Sequence, residues 1–249
     1  MPMQGSSRLA GFYNLSPAER LGTVAKLTGL SEADRLTLSP EEGLSLTLAE
    51  GISENVIGTT ALPLSIATNF RINGRDYLIP MAIEEASVVA AASFGAKLIR
   101  QGGGFRAGAS APVMIGQLQL VQVANLEEAK RRILVAREEL ISLADSQHPT
   151  IVARGGGCRG LEVHPLPQTP AGPMLVVHLL YDTRDAMGAN AVNSVMERLA
   201  PLVSQLAGGK ARLRIISNLA DKRLAWAEGK VPQATLGGEV FQGLVEAWA

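Results

Sequence analysis

Met174-Leu175-Val176-Val177-His178-Leu179-Leu180-Tyr181 is almost wholly apolar and rich in β-branched residues, the composition of a strand buried inside a sheet. Upstream of it, Leu161–Leu166 reads as a shorter strand, entered from a Gly155-Gly156-Gly157 loop. Further upstream, Asn125-Leu126-Glu127-Glu128 resembles a capping box and opens a helix to about Ser146. Ile133, Val135, Leu140, Ile141 and Leu143 supply its apolar side. Before that, Ala111–Ala124 alternates, with Val113, Ile115, Leu118, Leu120 and Val123 set against Gln117, Gln119 and Gln122. The phase slips once near Gly116, where a bulge is expected. Downstream of Tyr181, a helix spans about Asn190–Leu206 and a last strand Arg212–Ser217. The order β-α-β-β-α-β is the ferredoxin-like arrangement and predicts an antiparallel sheet with two helices on one face.

The N-terminal part has a different texture. Ser16-Pro17-Ala18-Glu19 is a capping box with proline at the first helical position. Leu21, Val24 and Leu27 form one face of that helix and Gly29 ends it. Ser31-Glu32-Ala33-Asp34 and Ser39-Pro40-Glu41-Glu42 repeat the start signal, so short amphipathic helices are expected. Asn73-Gly74 between Ile66–Ile72 and Arg75–Ile79 predicts a hairpin with a type I′ turn. After Pro80, Glu84-Glu85 leads into Ala86–Arg100, which is apolar on nearly every side and is expected to be a buried helix. A carboxyl beside an apolar wall is a candidate proton donor. A pair of solvated first-turn acids favoured by the helix dipole explains the same residues without chemistry.

Composition narrows the function classes. The chain has 249 residues, 47% hydrophobic and 18% charged, which indicates a folded globular protein of one or two domains. Lys plus Arg is 23 and Asp plus Glu is 23, a balance that argues against a general nucleic-acid binder. Cys158 is the single cysteine, so no intrachain disulfide forms and a reducing, cytoplasmic location is expected. Cys158 reads as a small structural residue, and His164 and His178 as packed or surface-satisfied histidines. No stretch resembles a signal peptide or a membrane span. The uncharged run Val163–Tyr181 carries Pro165, Pro167, Pro170 and Pro173.

The loop Arg184-Asp185-Ala186-Met187-Gly188-Ala189-Asn190 enters the second ferredoxin-like helix. Glycine among small residues at a helix N-terminus lets backbone N–H groups approach phosphate oxygens, and Asn190 and Asn193 could add hydrogen bonds. An ordinary glycine turn capped by Asp185 fits the same spacing. The loop is not Gly-x-Gly-x-x-Gly in a parallel βαβ unit, so a Rossmann reading fails.

Taken in order, Glu54-Asn55-Val56-Ile57-Gly58, Glu84-Glu85-Ala86-Ser87 and Asp185-Ala186-Met187-Gly188-Ala189-Asn190 resemble the motifs of hydroxymethylglutaryl-CoA reductases. Gly11-Phe12-Tyr13-Asn14-Leu15-Ser16 and Gly155-Gly156-Gly157-Cys158-Arg159 resemble the bacterial, soluble class II branch. The resemblance runs from about Leu9 to Trp248. It implies an oxidoreductase that interconverts hydroxymethylglutaryl-CoA and mevalonate plus CoA by two hydride transfers with NAD or NADP. The implied fold is α+β. A mainly helical CoA-ester domain, residues 1–110 with a return at 219–249, carries an inserted ferredoxin-like dinucleotide domain at 111–218. The implied assembly is a homodimer through Glu54–Gly58, with no metal, nucleic acid or membrane.

By the same resemblance Glu85 matches the catalytic glutamate, the proton donor to the carbonyl oxygen, and Ser87 is a substrate contact. Asp185, Ala186, Met187, Gly188, Ala189, Asn190 and Asn193 match the dinucleotide loop, with Asn218 a weaker cofactor-side candidate. NAD-preferring members place an acid where this chain has His148, one turn after Asp145. Histidine tolerates a 2′-phosphate better than a carboxylate does, so NADP or dual use is open. The family's His-Asn-Lys-Gly and Gly-Asn-Asp segments and its C-terminal histidine are absent from the 249 residues. Family members run to roughly 430 residues, so about 40% of that length lies outside this sequence. The expectation is a chain inactive by itself and poorly soluble. A non-catalytic nucleotide- or CoA-binding remnant is the alternative.

Overall fold

A computed structural model describes Met3, residues 5–39 and residues 43–248. The chain divides into two compact units, one formed by 1–107 with 227–249 and the other by Gly108–Trp226. Among the described residues, no helix is long and apolar enough to cross a membrane.

In the first unit, a 3₁₀ turn at Phe12–Asn14 precedes α1 (Pro17–Thr28). Ser16 and Glu19 cap α1 reciprocally, and Gly29 at φ 73° closes it. α2 (Glu32–Thr37) has the same reciprocal cap from Ser31 and Asp34. Pro40–Glu42 of the third expected helix start lie outside the described residues. α3 (Leu46–Ile52) follows, with Ser45 as its cap. β1 (Leu64–Ile72) and β2 (Arg75–Ala82) form the expected antiparallel hairpin, in which Asn73 and Gly74 take φ values of 50° and 81°. These two left-handed residues are what the I′ turn requires.

α4 (Val88–Gln101) packs on β1. Ser93 Oγ accepts from the Thr68 N–H at 3.0 Å and donates to the Val89 carbonyl at 2.8 Å. Arg100 forms a paired contact to Asp76 at 2.6 and 3.0 Å, and its Nη1 also donates to Ser7 Oγ. These polar contacts hold α4 along one side only. The expectation of a fully buried helix is corrected here: of its residues only Ala96 is buried, and Phe94 is 60% exposed. An apolar circumference reports what a helix can bury, and the described residues cover a single face of it.

β3 (Phe105–Ala109) returns parallel to β1, with the Phe70 and Phe105 rings stacked at 5.5 Å. In the second unit β4 (Val113–Val121) leads to α5 (Leu126–Val135), α6 (Arg137–Gln147) and α7 (Pro149–Ala153). The single helix expected over 125–146 is thus broken at Ala136. β5 (Gly157–Leu166), β6 (Met174–Asp182), α8 (Ala189–Ala207) and β7 (Lys210–Ile216) complete the unit. Strand order is β5-β6-β4-β7 with every pairing antiparallel, the ferredoxin-like topology. Leu118, Leu120, Leu175, Val177, Leu179 and Tyr181 project from one face of this sheet onto Ile133, Leu140, Val195, Met196 and Leu199, all buried.

No bulge occurs at Gly116: β4 pairs with β6 in unbroken register, and the shift against β7 falls between Leu118 and Leu120. The slip in hydrophobic phase has another cause. Gly116 lies against α8, where a Cβ would sit 2.8 Å from both Met196 Cγ and Val192 Cγ1. The missing side chain is what lets the helix approach the strand.

β8 (Ala225–Gly229), α9 (Gln233–Leu236) and α10 (Gly238–Trp248) end the described chain. β3 and β8 extend the hairpin into a sheet ordered β2-β1-β3-β8, so the first unit carries more strand than its sequence pattern suggests.

Candidate functional site

Two places collect the residues singled out above, one in each unit. In the first, Glu84, Glu85, Ala86 and Ser87 lie on the wall of an open cavity of about 1710 Å³. Val89, Ser93 and Lys97, spaced four apart along one side of α4, line the same cavity. Ser87 is the N-cap of α4 and stands at φ 68°, ψ −18° with no side-chain capping bond. A left-handed serine costs about 1–2 kcal/mol over the right-handed form, and such residues concentrate where a site needs an unusual direction of the chain. Glu85 is exposed, and among the described residues nothing donates a hydrogen bond to it. α4 adds the apolar side chains of Val89 and Phe94 to the wall of the same cavity.

In the second unit, residues 183–190 turn the chain from β6 into α8. Gly188 is the N-cap of α8, at φ 95°, and is buried. No side chain caps the helix. Asp185 is exposed and does not act as the cap. The first-turn N–H groups of a 19-residue helix are thus left without a side-chain acceptor. Ala186, Met187 and Asn190 are exposed beside it, and Ala189 is partly buried.

His148 Nε2 lies 3.2 Å from the Ala191 carbonyl, which places this residue against the first turn of α8. Asn193 Oδ1 accepts from the Ile216 N–H at 2.8 Å, so half of its amide closes the end of β7. Asn218 is exposed just beyond β7.

Two residues that shape this loop, Arg223 and Asp182, escaped the sequence reading. Arg223 Nη1 donates to the Ala186 carbonyl at 2.8 Å and to Thr183 Oγ1 at 3.1 Å, while Nη2 donates to the Arg184 carbonyl at 3.3 Å. Asp182 is 1% exposed. It accepts from Arg159 at 2.9 Å, and from the Arg184 guanidinium at 2.7 Å and backbone at 3.0 Å. Both arginines also donate to the Gly155 carbonyl. Asp182 therefore ties the glycine loop to the α8 entry. An isolated arginine or aspartate in sequence carries no signal of such a role, because the contacts that tie the loop down, Arg159 to Asp182 and Arg223 to Thr183 and Ala186, span 23 to 40 residues.

Burial by itself would push the Asp182 carboxyl up, but the Arg159 hydrogen bond, the Arg184 N–H and the two positive charges outweigh it and hold it below the ordinary carboxylate value. Its folded pKa is lower than its unfolded one. The stability it contributes is therefore full above about pH 4–5 and disappears as pH falls through the lowered folded value. Asp182→Asn is expected to cost about 2–3 kcal/mol at pH 7. Urea melts from pH 7 to pH 3 should show this difference shrinking with acid; a constant difference would mean the carboxylate charge plays no part. Cys158 behaves differently: burial pushes its thiol up to about 11, so thiolate is scarce at neutral pH.

Residues 16–247 match the family model described as hydroxymethylglutaryl-coenzyme A reductase. The chain belongs to that family. It is 49% identical over 246 residues to 3-hydroxy-3-methylglutaryl-coenzyme A reductase of Archaeoglobus fulgidus, covering 98% of this chain and 56% of the relative. It superposes on a Streptococcus pneumoniae 3-hydroxy-3-methylglutaryl-coenzyme A reductase with TM-score 0.87 and 37% identity, over 95% of this chain and 56% of that one. A class II reductase structure from the same organism, bound to NADPH in open conformations, gives TM-score 0.87 and 38% identity over 96% and 64%. This reductase-family chain spans about six-tenths of the length of those relatives.

Proposed function

We propose that this chain is part of an oxidoreductase that interconverts hydroxymethylglutaryl-CoA and mevalonate plus CoA, using NADPH or NADH. The observation that carries the proposal is the reductase-family match over residues 16–247, which takes in both candidate sites. Two hydrides and two protons convert the thioester to a primary alcohol and a free thiol. The nicotinamide cofactor, when bound, supplies the hydrides; this chain supplies binding, orientation and a proton.

Glu85 donates a proton to the carbonyl oxygen as negative charge develops there. Ser87, turned by its left-handed backbone, directs its hydroxyl to the acyl part of the substrate. The uncapped first turn of α8 suits a phosphate, because its N–H groups point outward and the helix dipole favours an anion. Gly188, left-handed and packed against Thr183 where a Cβ has no room, sets the turn that presents those N–H groups. Asp185, Ala186, Met187, Ala189 and Asn190 form the rim, and the free half of the Asn193 amide and Asn218 stand ready to add hydrogen bonds. Arg223 and Asp182 hold the loop in shape. His148, at the same helix turn, brings no negative charge against a 2′-phosphate, which favours NADP or dual use.

Glu54–Gly58 is the segment proposed to join two subunits: Ile57 is fully exposed and Asn55 stands at φ 57°, so an apolar side chain faces outward on a constrained turn.

The 249 residues contain no segment matching the family's catalytic lysine, aspartate or histidine, so the chain by itself is expected to bind nucleotide without turning over. Fluorescence titration with NADPH and NADH, followed by an assay of NADPH oxidation with hydroxymethylglutaryl-CoA, tests this. Binding without oxidation is expected for the 249-residue chain, and oxidation for a version extended to the relatives' length. Turnover by the short chain would refute the incompleteness. An extended version that binds neither nucleotide would overturn the proposed reaction.

A further inference from the structure

The face of the second unit's sheet turned away from its helices carries a cluster that the proposed reaction does not use. Glu162 and His164 are two apart on β5, and His178 on β6 is the direct cross-strand partner of Glu162. Strand periodicity puts all three on one face. His164 Nε2 lies 3.3 Å from Glu162 Oε2, and the two imidazoles stand 4.7 Å apart, centre to centre. One ligand atom from each residue lies within 4.8 Å of the other two. The chain has only three histidines, and two of them meet here, on neighbouring strands whose pairing is regular from Gly160 to Leu166.

We propose that Glu162, His164 and His178 form a binding site for one divalent transition-metal ion of the zinc, cobalt or nickel type. Two imidazoles and one carboxylate are the donor set such ions favour over magnesium or calcium, which prefer oxygen ligands throughout. In a tetrahedral site with bonds of roughly 2.1 Å, neighbouring ligand atoms are about 3.4 Å apart. The Glu162–His164 pair already has that spacing, and His178 reaches it by a shift of roughly 1.4 Å, within the play of a side-chain rotation. The backbone need not move, because β5 and β6 fix the Cα positions of all three.

Three protein ligands leave a fourth position for water. On the fourth side, Gln117 of β4 is the cross-strand neighbour of His178 and can accept a hydrogen bond from that water. The ion would clip β5 to β6 on the open face of the sheet, opposite the buried core.

Cobalt(II) titration of the untagged 249-residue chain, read by visible absorption, is the direct test, with zinc(II) competition as the second step. One cobalt per chain is expected, with d–d bands of a low-coordinate site, displaced by zinc. Zinc should also raise the melting temperature. His164→Ala and His178→Ala should each weaken cobalt binding about 100-fold, at or above the loss usual for outer-shell changes, and should abolish the zinc-dependent rise. Both residues lie on the open face, so the metal-free melts should stay near that of the parent. Cobalt binding no tighter than millimolar overturns the proposal. So does binding that survives both variants, or absorption showing thiolate charge transfer, which would locate the ion at Cys158.

Discussion

Replacing Gly188 by valine is expected to destabilise the Gly108–Trp226 unit by about 3 kcal/mol and to remove nucleotide binding. The residue stands at φ 95°, where a β-branched side chain is strained by about 1–2 kcal/mol or more. A Cβ there would also sit 2.9 Å from Thr183 Cβ, and overpacking of this kind costs about 1–3 kcal/mol. Thr183 cannot yield easily. Its N–H donates to the Pro112 carbonyl at 3.1 Å, its hydroxyl donates to the Ala186 carbonyl at 3.0 Å, and Arg223 holds that hydroxyl from the other side. The strain passes to the turn that presents the α8 N–H groups. Urea denaturation and NADPH titration of the variant measure the two effects separately. Asn190→Ala, at an exposed position outside these contacts, should weaken NADPH binding while leaving the urea midpoint unchanged. If Gly188→Val lowers stability but binds NADPH normally, the loop is structural and the phosphate site lies elsewhere.

Glu85→Gln, made in a version of the chain extended to the relatives' length, should lower kcat by about 10²- to 10⁴-fold, the range of a positioned general acid. The KM for hydroxymethylglutaryl-CoA should change little, because the amide keeps the shape and loses only the transferable proton. Glu85 is exposed and has no hydrogen-bond donor among the described residues, so its melt should stay within about 0.5 kcal/mol of the parent. Steady-state rates across pH provide the sharper readout. A variant that keeps its rate and its pH profile would move the proton donor to another residue.

Much of the second unit was legible because its signals are local. The apolar run Met174–Tyr181, the alternation of Leu118 and Leu120 with glutamines, and the Asn125 cap each act within a few residues, and the β-α-β-β-α-β order follows from their succession. The Asn73-Gly74 hairpin and the Ser16 and Ser31 caps were readable for the same reason. β3 and β8 were not. Phe105-Arg106-Ala107-Gly108-Ala109 and Ala225-Trp226-Ala227-Glu228-Gly229 carry little β-branched character and become strands only because β1 offers an edge to β3, and β3 in turn offers one to β8. The pattern places α4 but not its burial, since periodicity reports an apolar surface and not what covers it.

The candidate site divides along the same line. Glu85, Ser87 and the Asp185–Asn190 loop are contiguous motifs, visible in the chain as residue types at fixed spacing. Arg223 and Asp182, which hold the loop, act through partners up to 40 residues away, such as Thr183 for Arg223. The Glu162–His164–His178 cluster depends on the register of β5 against β6; a slip by one residue would turn His178 into the core. Local sequence thus set the caps, the turns, the strand faces and the family motifs, because their energetics are settled between near neighbours. Register, edge pairing and the convergence of distant charged groups were decided by tertiary structure, where the outcome depends on packing α8 and its helical neighbours against one face of the sheet.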